Sequence, residues 1–281
     1  MNLNLIDLFD KASDSAEFIP KLRQLILDLA VRGKLVPQNP KDEPASELLK
    51  KIKAEKEKLV KDGKIRLEER SKPISQDEMP FDIPKCWKWC RMQELVDSNR
   101  GITYGIVKMG NTPLEGGVPA LRCSDVKPRG IDISNVRFVS KEIDSQYQRT
   151  KLRGREVLLN VRGTLGGCAV VPLNISGYNI AREISLIPLH NDEMAEYIVN
   201  VLASPFFTWQ VNSNLKGIAY KGLNLNILRN LLVPLPPIKE QKLIVTKVNE
   251  LMSLCDALEK QISITSTQST RLLNALIQNN Y

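Results

Sequence analysis

Four stretches concentrate the side chains that could do chemistry, and their chemistry is recognition of phosphates and base edges. Arg100-Gly-Ile-Thr-Tyr104-Gly-Ile-Val-Lys108 sets a tyrosine and two glycines between cations. Residues 149–155 hold four cations in seven positions. Arg162-Gly-Thr164 follows an apolar run, where a guanidinium projects from a strand end, and Lys216-Gly-Ile-Ala-Tyr220-Lys221 is a further cation–aromatic loop. Arginine suits a forked contact with guanine, whereas lysine and backbone amides mainly hold phosphates. With Arg122 and Arg182 added, the residues expected at a DNA surface are Arg100, Tyr104, Lys108, Arg122, Arg162, Thr164, Arg182, Lys216, Tyr220 and Lys221. Solvated charge is the plainer reading of any one loop. Four on one domain outweigh it.

Catalytic groupings are scarce. The only histidine, His190, runs into Asn191-Asp192 and reads as a turn residue, so a Ser-His-Asp or Cys-His apparatus has little to work with. Cys86 and Cys90 have no second pair or histidine to complete a zinc set and read as packing beside Trp87 and Trp89. Gly163-Thr-Leu-Gly166-Gly167 lacks the Lys-Ser/Thr of a phosphate loop. The Glu55/Glu57 and Glu68-Glu69 pairs lie in charged helical or linker sequence, where a carboxylate metal nuclease is unconvincing. No catalytic residue, metal or cofactor is expected. The chain reads as a binding or scaffolding protein.

Composition agrees with an anionic partner: 40 Lys+Arg against 32 Asp+Glu give a net charge of +8 over 281 residues. No apolar run reaches transmembrane length, and the N-terminus shows neither the basic region nor the cleavage site of a signal peptide. Five cysteines without framework spacing fit a reducing compartment, so a cytoplasmic protein without a membrane partner is expected.

The elements that must position these loops fall into three segments, 1–78, 79–222 and 223–281. In the first, Phe18, Leu22, Leu25, Ile26 and Leu29 make a helical stripe, capped by Ser13-Asp14-Ser15 and stopped by Gly33. A second helix opens at Asp42-Glu-Pro44, buries Ala45, Leu48, Leu49, Ile52 and Leu59, and stops at Gly63; a Pro-punctuated strap follows. The second segment is β-rich, with apolar runs at 118–126, 136–139, 157–161, 168–173 and 184–189 spaced near the interval of a curved or barrel-like sheet. A helix over 193–210 carries Pro205 as a kink. The third segment is a connector and one long helix whose residues Ile244, Val248, Leu251, Cys255, Leu258, Ile262, Leu272 and Leu276, with polar Thr265 and Ser269 between, alternate in steps of four and three. That is a coiled-coil seam, and it predicts a partner helix. The fold class is α+β: a β-rich recognition domain between N-terminal helices and a long C-terminal coiled-coil helix.

Several motifs resemble the specificity subunits of type I restriction–modification systems. Leu25-Ile-Leu-Asp-Leu-Ala-Val-Arg-Gly-Lys-Leu-Val-Pro-Gln38 with Asp42-Glu-Pro-Ala-Ser46 is similar to that family's N-terminal segment, and Trp87 sits where such chains enter a target recognition domain. Gly101–Gly105, Glu156–Thr164 and Asn179–Glu183 look like motifs inside that domain. Gly217–Leu225 and Pro234-Leu-Pro-Pro-Ile-Lys-Glu-Gln241 look like its exit into a spacer helix. The resemblance implies a non-catalytic subunit that recognises double-stranded DNA and docks methyltransferase and restriction subunits. Adenine methylation, using S-adenosylmethionine, would belong to the partner.

One feature departs from the family pattern of two recognition domains joined by two long helices: this sequence has one of each. It resembles half a subunit, either pairing with itself through the C-terminal helix or forming a piece of a longer protein. The similarity of 22–30 to 270–278 fits a circular arrangement. A rival class is a coiled-coil scaffold whose β-rich domain binds protein instead of DNA, for which DNA binding would lack steep salt dependence.

Overall fold

The structure is a computed structural model, and it describes residues 17–65, 73–113, 115–163, 166–214 and 222–278, without the side chains of 214, 266 and 269–278. The architecture is α+β, with a long C-terminal helix. Helix α1 (Phe18–Val31) buries Ile19, Ile26, Leu27, Ala30 and Val31. This face is rotated from the expected stripe, and Leu25 is 52% exposed. Later helices pack on α1 from more than one side, which moves its buried face toward 26, 27, 30 and 31. Gly33 ends it at φ +67, and a Cβ there would stand 2.5 Å from Pro84 Cγ, so only glycine fits this C-terminal stop. The expected Ser13-Asp14-Ser15 cap lies outside the described residues.

Helix α2 (Ala45–Lys61) buries Ala45 and Ile52, with Leu48 and Leu49 partly covered. Beyond the strap, β1 (Lys88–Arg91) leads into α3 (Met92–Leu95). The β-rich unit follows with β2 (Thr103–Tyr104), β3 (Val118–Leu121), β4 (Val126–Lys127), β5 (Gly130–Ile131), β6 (Arg137–Val139), α4 (Lys141–Gln146), β7 (Val157–Asn160), β8 (Cys168–Val170), β9 (Asn179–Ile180) and β10 (Ile184–Ile187). The chain continues through α5 (Ala195–Leu202), α6 (Pro205–Asn214), α7 (Leu225–Asn230), β11 (Leu232–Leu235) and α8 (Ile238–Gln278). Pro205 breaks the expected helix instead of kinking it: it starts α6, where its missing N–H costs nothing, and the Ser204 hydroxyl accepts from Phe207 N at 3.4 Å.

The expected single curved sheet is divided. Strands order as β2-β10-β7-β8 in a four-stranded sheet and β6-β3-β9 in a three-stranded one, with β4-β5 a separate hairpin. Strands β7 and β10 are buried throughout, because both faces are covered. Their two-residue period sends Val157 and Leu159 to a core shared with α5, and Leu158 and Leu186 to a second core with Leu121 and Ile180. Two opposed cores explain why a single barrel does not close.

The first core runs from Ile19 through Trp87, Tyr197 and Leu223 to Cys255, so the three expected segments share it. Strand β1 also pairs antiparallel with β11, Lys88 opposite Leu235 and Arg91 opposite Leu232, joining the start of the β-rich unit to its exit.

Helix α8 has 41 residues, about 60 Å. The first half of its expected seam is not open to another molecule. Ile244, Val248 and Cys255 are buried in this chain, Leu251 is partly covered, and α1 is the neighbouring helix. Arg23 on α1 reaches Asp256 at 2.8 Å and Glu259 at 2.5 Å. The periodicity is as read, but α1 supplies its partner within the same chain. Beyond that junction Leu258 is 36% and Ile262 38% exposed. Leu272 and Leu276 lie in the helix with side chains outside the described set.

Candidate nucleic-acid interface

Four segments meet at one edge of the β-rich unit. After β2 the chain crosses β9, with Ile106 N donating to Ile180 O at 2.8 Å and Arg182 N to Ile106 O at 2.9 Å. A Cβ on Gly105 would sit 2.0 Å from Ile180 O, so glycine permits this backbone approach. Val161 N donates to Glu183 O at 2.8 Å, and Leu223 N to Val161 O at 2.9 Å. Residues 105–108, 161–163, 181–183 and 222–224 thereby form one rim, although they are distant in sequence.

Three of the expected residues present cationic side chains here. Lys108 is exposed. Arg162 is exposed and makes no side-chain hydrogen bond among the described residues; its stem passes close to Gly222, where an added Cβ would meet Arg162 Cγ at 2.7 Å. Arg182 stands 3.6 Å from Glu183, but its side chain is 46% exposed, and so loose a surface pair leaves its charge available.

Other expected contacts prove to be internal. Arg100 donates to Glu156 at 2.5 Å, with side chains 10% and 4% exposed, and to Lys151 O at 2.9 Å. It is a buried strut, because Glu156 lies beside it in space though far along the chain. The Tyr104 hydroxyl donates to Leu223 O at 2.7 Å, tying β2 to the connector; burial pushes this phenol above its ordinary pKa, against the opposing effect of nearby Arg162 and Arg229. Arg122 donates to Asp125 at 3.1 Å and Asn135 O at 2.6 Å, closing its own turn. Thr164, Lys216, Tyr220 and Lys221 lie outside the described residues.

The rim rests on side chains that the search for cations passed over. Asn179 is fully buried: its Nδ2 donates to Asp144 at 2.9 Å and Tyr147 O at 3.2 Å, and its Oδ1 accepts from Thr150 at 2.6 Å. Tyr147 in turn accepts from Val107 N at 3.3 Å, so the network supports the Lys108 loop. The available signal was an amide just before an apolar stretch at 179–181.

Glu240, in the first turn of α8, is likewise buried. It accepts from Trp87 Nε1 at 2.9 Å and Gln38 Nε2 at 2.7 Å, and Cys86 Sγ lies at 3.9 Å. Burial holds this carboxyl above the usual range, although its hydrogen-bond donors pull the other way. The connection between α1 and α2, the Trp87 region and α8 meet at this one side chain. Cys90, the other member of the Cys86 pair, is buried and directed at Val233 O. His190 Nε2 lies 2.9 Å from Glu55 Oε2 on α2.

Among the described residues no group of His, Cys, Asp and Glu could hold a metal ion, and no helix is long and apolar enough to cross a membrane. The rim offers separated positive charges on a well-braced backbone, which suits binding of an extended polyanion.

Residues 84–265 match the family described as type I restriction modification DNA specificity domain. The chain is 34% identical over 267 residues to the specificity subunit of the Type I restriction enzyme EcoEI of Escherichia coli, covering 91% of this chain and 42% of that subunit. It is 33% identical over 267 residues to the EcoAI specificity subunit of the same organism, covering 91% and 43% respectively. A solved chain from work on complex assembly and conformational transition of the type I R-M system superposes with a TM-score of 0.55 at 18% identity, covering 97% of this chain and 57% of that one. The chain thus spans about two fifths of the length of these curated relatives and shares its fold with the solved one. On the extent of the family match, this chain belongs to the type I restriction modification DNA specificity domain family.

Proposed function

We propose that this chain is a non-catalytic DNA-reading specificity subunit of a type I restriction–modification system. The β-rich unit reads one half-site of a bipartite duplex target in the major groove. The frame of α1 and α8 docks methyltransferase and restriction subunits, with S-adenosylmethionine and the methyl transfer on the methyltransferase. The observation that carries this reading is the convergence of Lys108, Arg162 and Arg182 on one braced rim, within a chain of this family. A second copy pairs through the exposed stretch of α8 around Leu258 and Ile262, supplying the other half-site. The setting is the cytoplasm.

The test is to express the chain with a type I methyltransferase subunit in a methylation-free host and map methylated adenines. A two-part motif separated by a fixed gap supports the reading, and inverted halves support self-pairing. A soluble complex with an active methyltransferase and no sequence-specific methylation refutes it. Steeply salt-dependent binding to duplex DNA separates the reader from a protein-binding scaffold.

A further inference from the structure

The β4–β5 hairpin turns through Pro128 and Arg129, and Arg129 adopts φ +60. Proline first and a left-handed residue second is the grammar of a type II turn, in which the second place belongs to glycine. An arginine there is held against its backbone preference, and the structure shows what its side chain does. Nε donates to Asn200 Oδ1 on α5 at 2.9 Å, and Nη2 donates to Asn249 Oδ1 on α8 at 2.5 Å. Its backbone N–H bonds Cys168 O on β8 at 2.7 Å. One residue therefore joins the hairpin, the sheet, α5 and the spacer helix.

We infer that Arg129 is a positioning latch that sets the angle between the β-rich unit and α8, and with it the length of the unspecified gap between half-sites. This rests on the DNA-reading function proposed above. Both acceptors are uncharged amides, so the latch resists salt better than an exposed ion pair. Partial burial lowers the Arg129 pKa, and the nearby Glu196 and Asp256 carboxylates act against that shift, so the half-buried guanidinium is held by its two amide acceptors and by these charges together. The division of labour is then spatial: rim cations engage bases and phosphates, while Arg129 aims the rim. A small rotation at the hairpin is amplified along α8, and a displacement of about 3.4 Å at the far end corresponds to one base pair of duplex.

Arg129→Gly is the informative change, because it removes the latch while giving the turn the residue its backbone favours. Asn249→Asp, which converts one acceptor to a charged partner, is the matched control that keeps it. Two readouts are taken: the methylated motif in the host described above, and hydrogen exchange of the purified full chain. Arg129→Gly is expected to leave the bases of each half-site unchanged and to bring gaps one base pair longer or shorter to at least a tenth of methylated sites. Exchange at amides 126, 127 and 129–131 is expected to rise about tenfold, and Asn249→Asp is expected to keep the native gap and protection. An unchanged gap, whatever the half-site bases, would overturn the latch, as would native protection of the hairpin in Arg129→Gly. If the unaltered chain yields no bipartite motif, the DNA-reading proposal falls, and unchanged exchange in Arg129→Gly overturns the latch separately.

Discussion

Arg100 was expected at the DNA surface, and its burial turns it into a stability prediction. In Arg100→Ala the Glu156 carboxylate stays buried and keeps two donors, Arg153 N and Gly154 N at 2.8 Å each. Breaking a buried ion pair from one side costs about 3–5 kcal/mol. The surviving donors favour the lower end, as does the buried Arg100 Nε, which has no partner among the described residues. Loss of the bond to the Lys151 carbonyl adds about 1 kcal/mol. The sum is about 4 kcal/mol, a fall in Tm of roughly 10 °C for a chain of this size. Urea titration followed by fluorescence of the three tryptophans reads it directly. Replacing both partners with apolar residues, Arg100→Met with Glu156→Leu, is expected to restore most of the loss, since no charge is then left buried alone. Stability within 1 kcal/mol of the native chain, combined with weakened DNA binding in Arg100→Ala, would refute the structural assignment.

The rim cations separate by role. Lys108→Ala is expected to weaken binding to all duplexes alike and to reduce the slope of log affinity against log salt by about 1. Arg162→Ala is expected to cost about 1–3 kcal/mol and relax one base position, as binding to a panel of singly substituted targets would show; equal losses on every target would make it a phosphate contact instead. Glu240 supplies a pH signature. Its folded-state pKa lies above the ordinary 4.5, so the folded chain holds that proton more tightly than the unfolded one. This group favours folding below 4.5 and loses that contribution as pH rises through the raised value. The stability of Glu240→Gln relative to the native chain is therefore expected to grow across that interval in paired urea titrations, and a flat difference would count against it. Leu258→Asp with Ile262→Asp is expected to abolish self-association in sedimentation while leaving the circular dichroism of the chain unchanged.

The readings that succeeded rested on local rules. Gly33 and Gly63 stop their helices at positive φ because no Cβ interferes, and the apolar runs at 157–161 and 184–189 became fully buried strands. What failed depended on distant neighbours. Fifty-six positions separate Arg100 from Glu156, so its charge read as exposed when it is enclosed. The connector's residues 232–235 form a strand paired with 88–91 across the sequence, an edge position where the missing N–H of Pro234 is tolerated. The α8 seam had the right period, but period alone does not say whether the facing helix belongs to another molecule or to residues 18–31. Of the rim, the cations at 108, 162 and 182 were legible from type and spacing. Their brace at Asn179 was not, because a buried amide leaves no charge pattern to follow.

The pairing of β1 with β11 also bears on how such a chain can diversify. Everything between Arg91 and Leu232 departs from and returns to the frame through adjacent residues on neighbouring strands. An insert whose two ends lie side by side adds little strain to its host, whatever its length, because loop-closure entropy changes only slowly with size. A differently built reader could therefore be exchanged at this junction while α1 and α8 keep their course. Such a replacement must keep the apolar faces of α5 and α6 that close on the frame, and a hairpin able to reach Asn249. Under the proposed function, the reading unit can then be replaced as a whole cassette while the frame of α1 and α8 is kept.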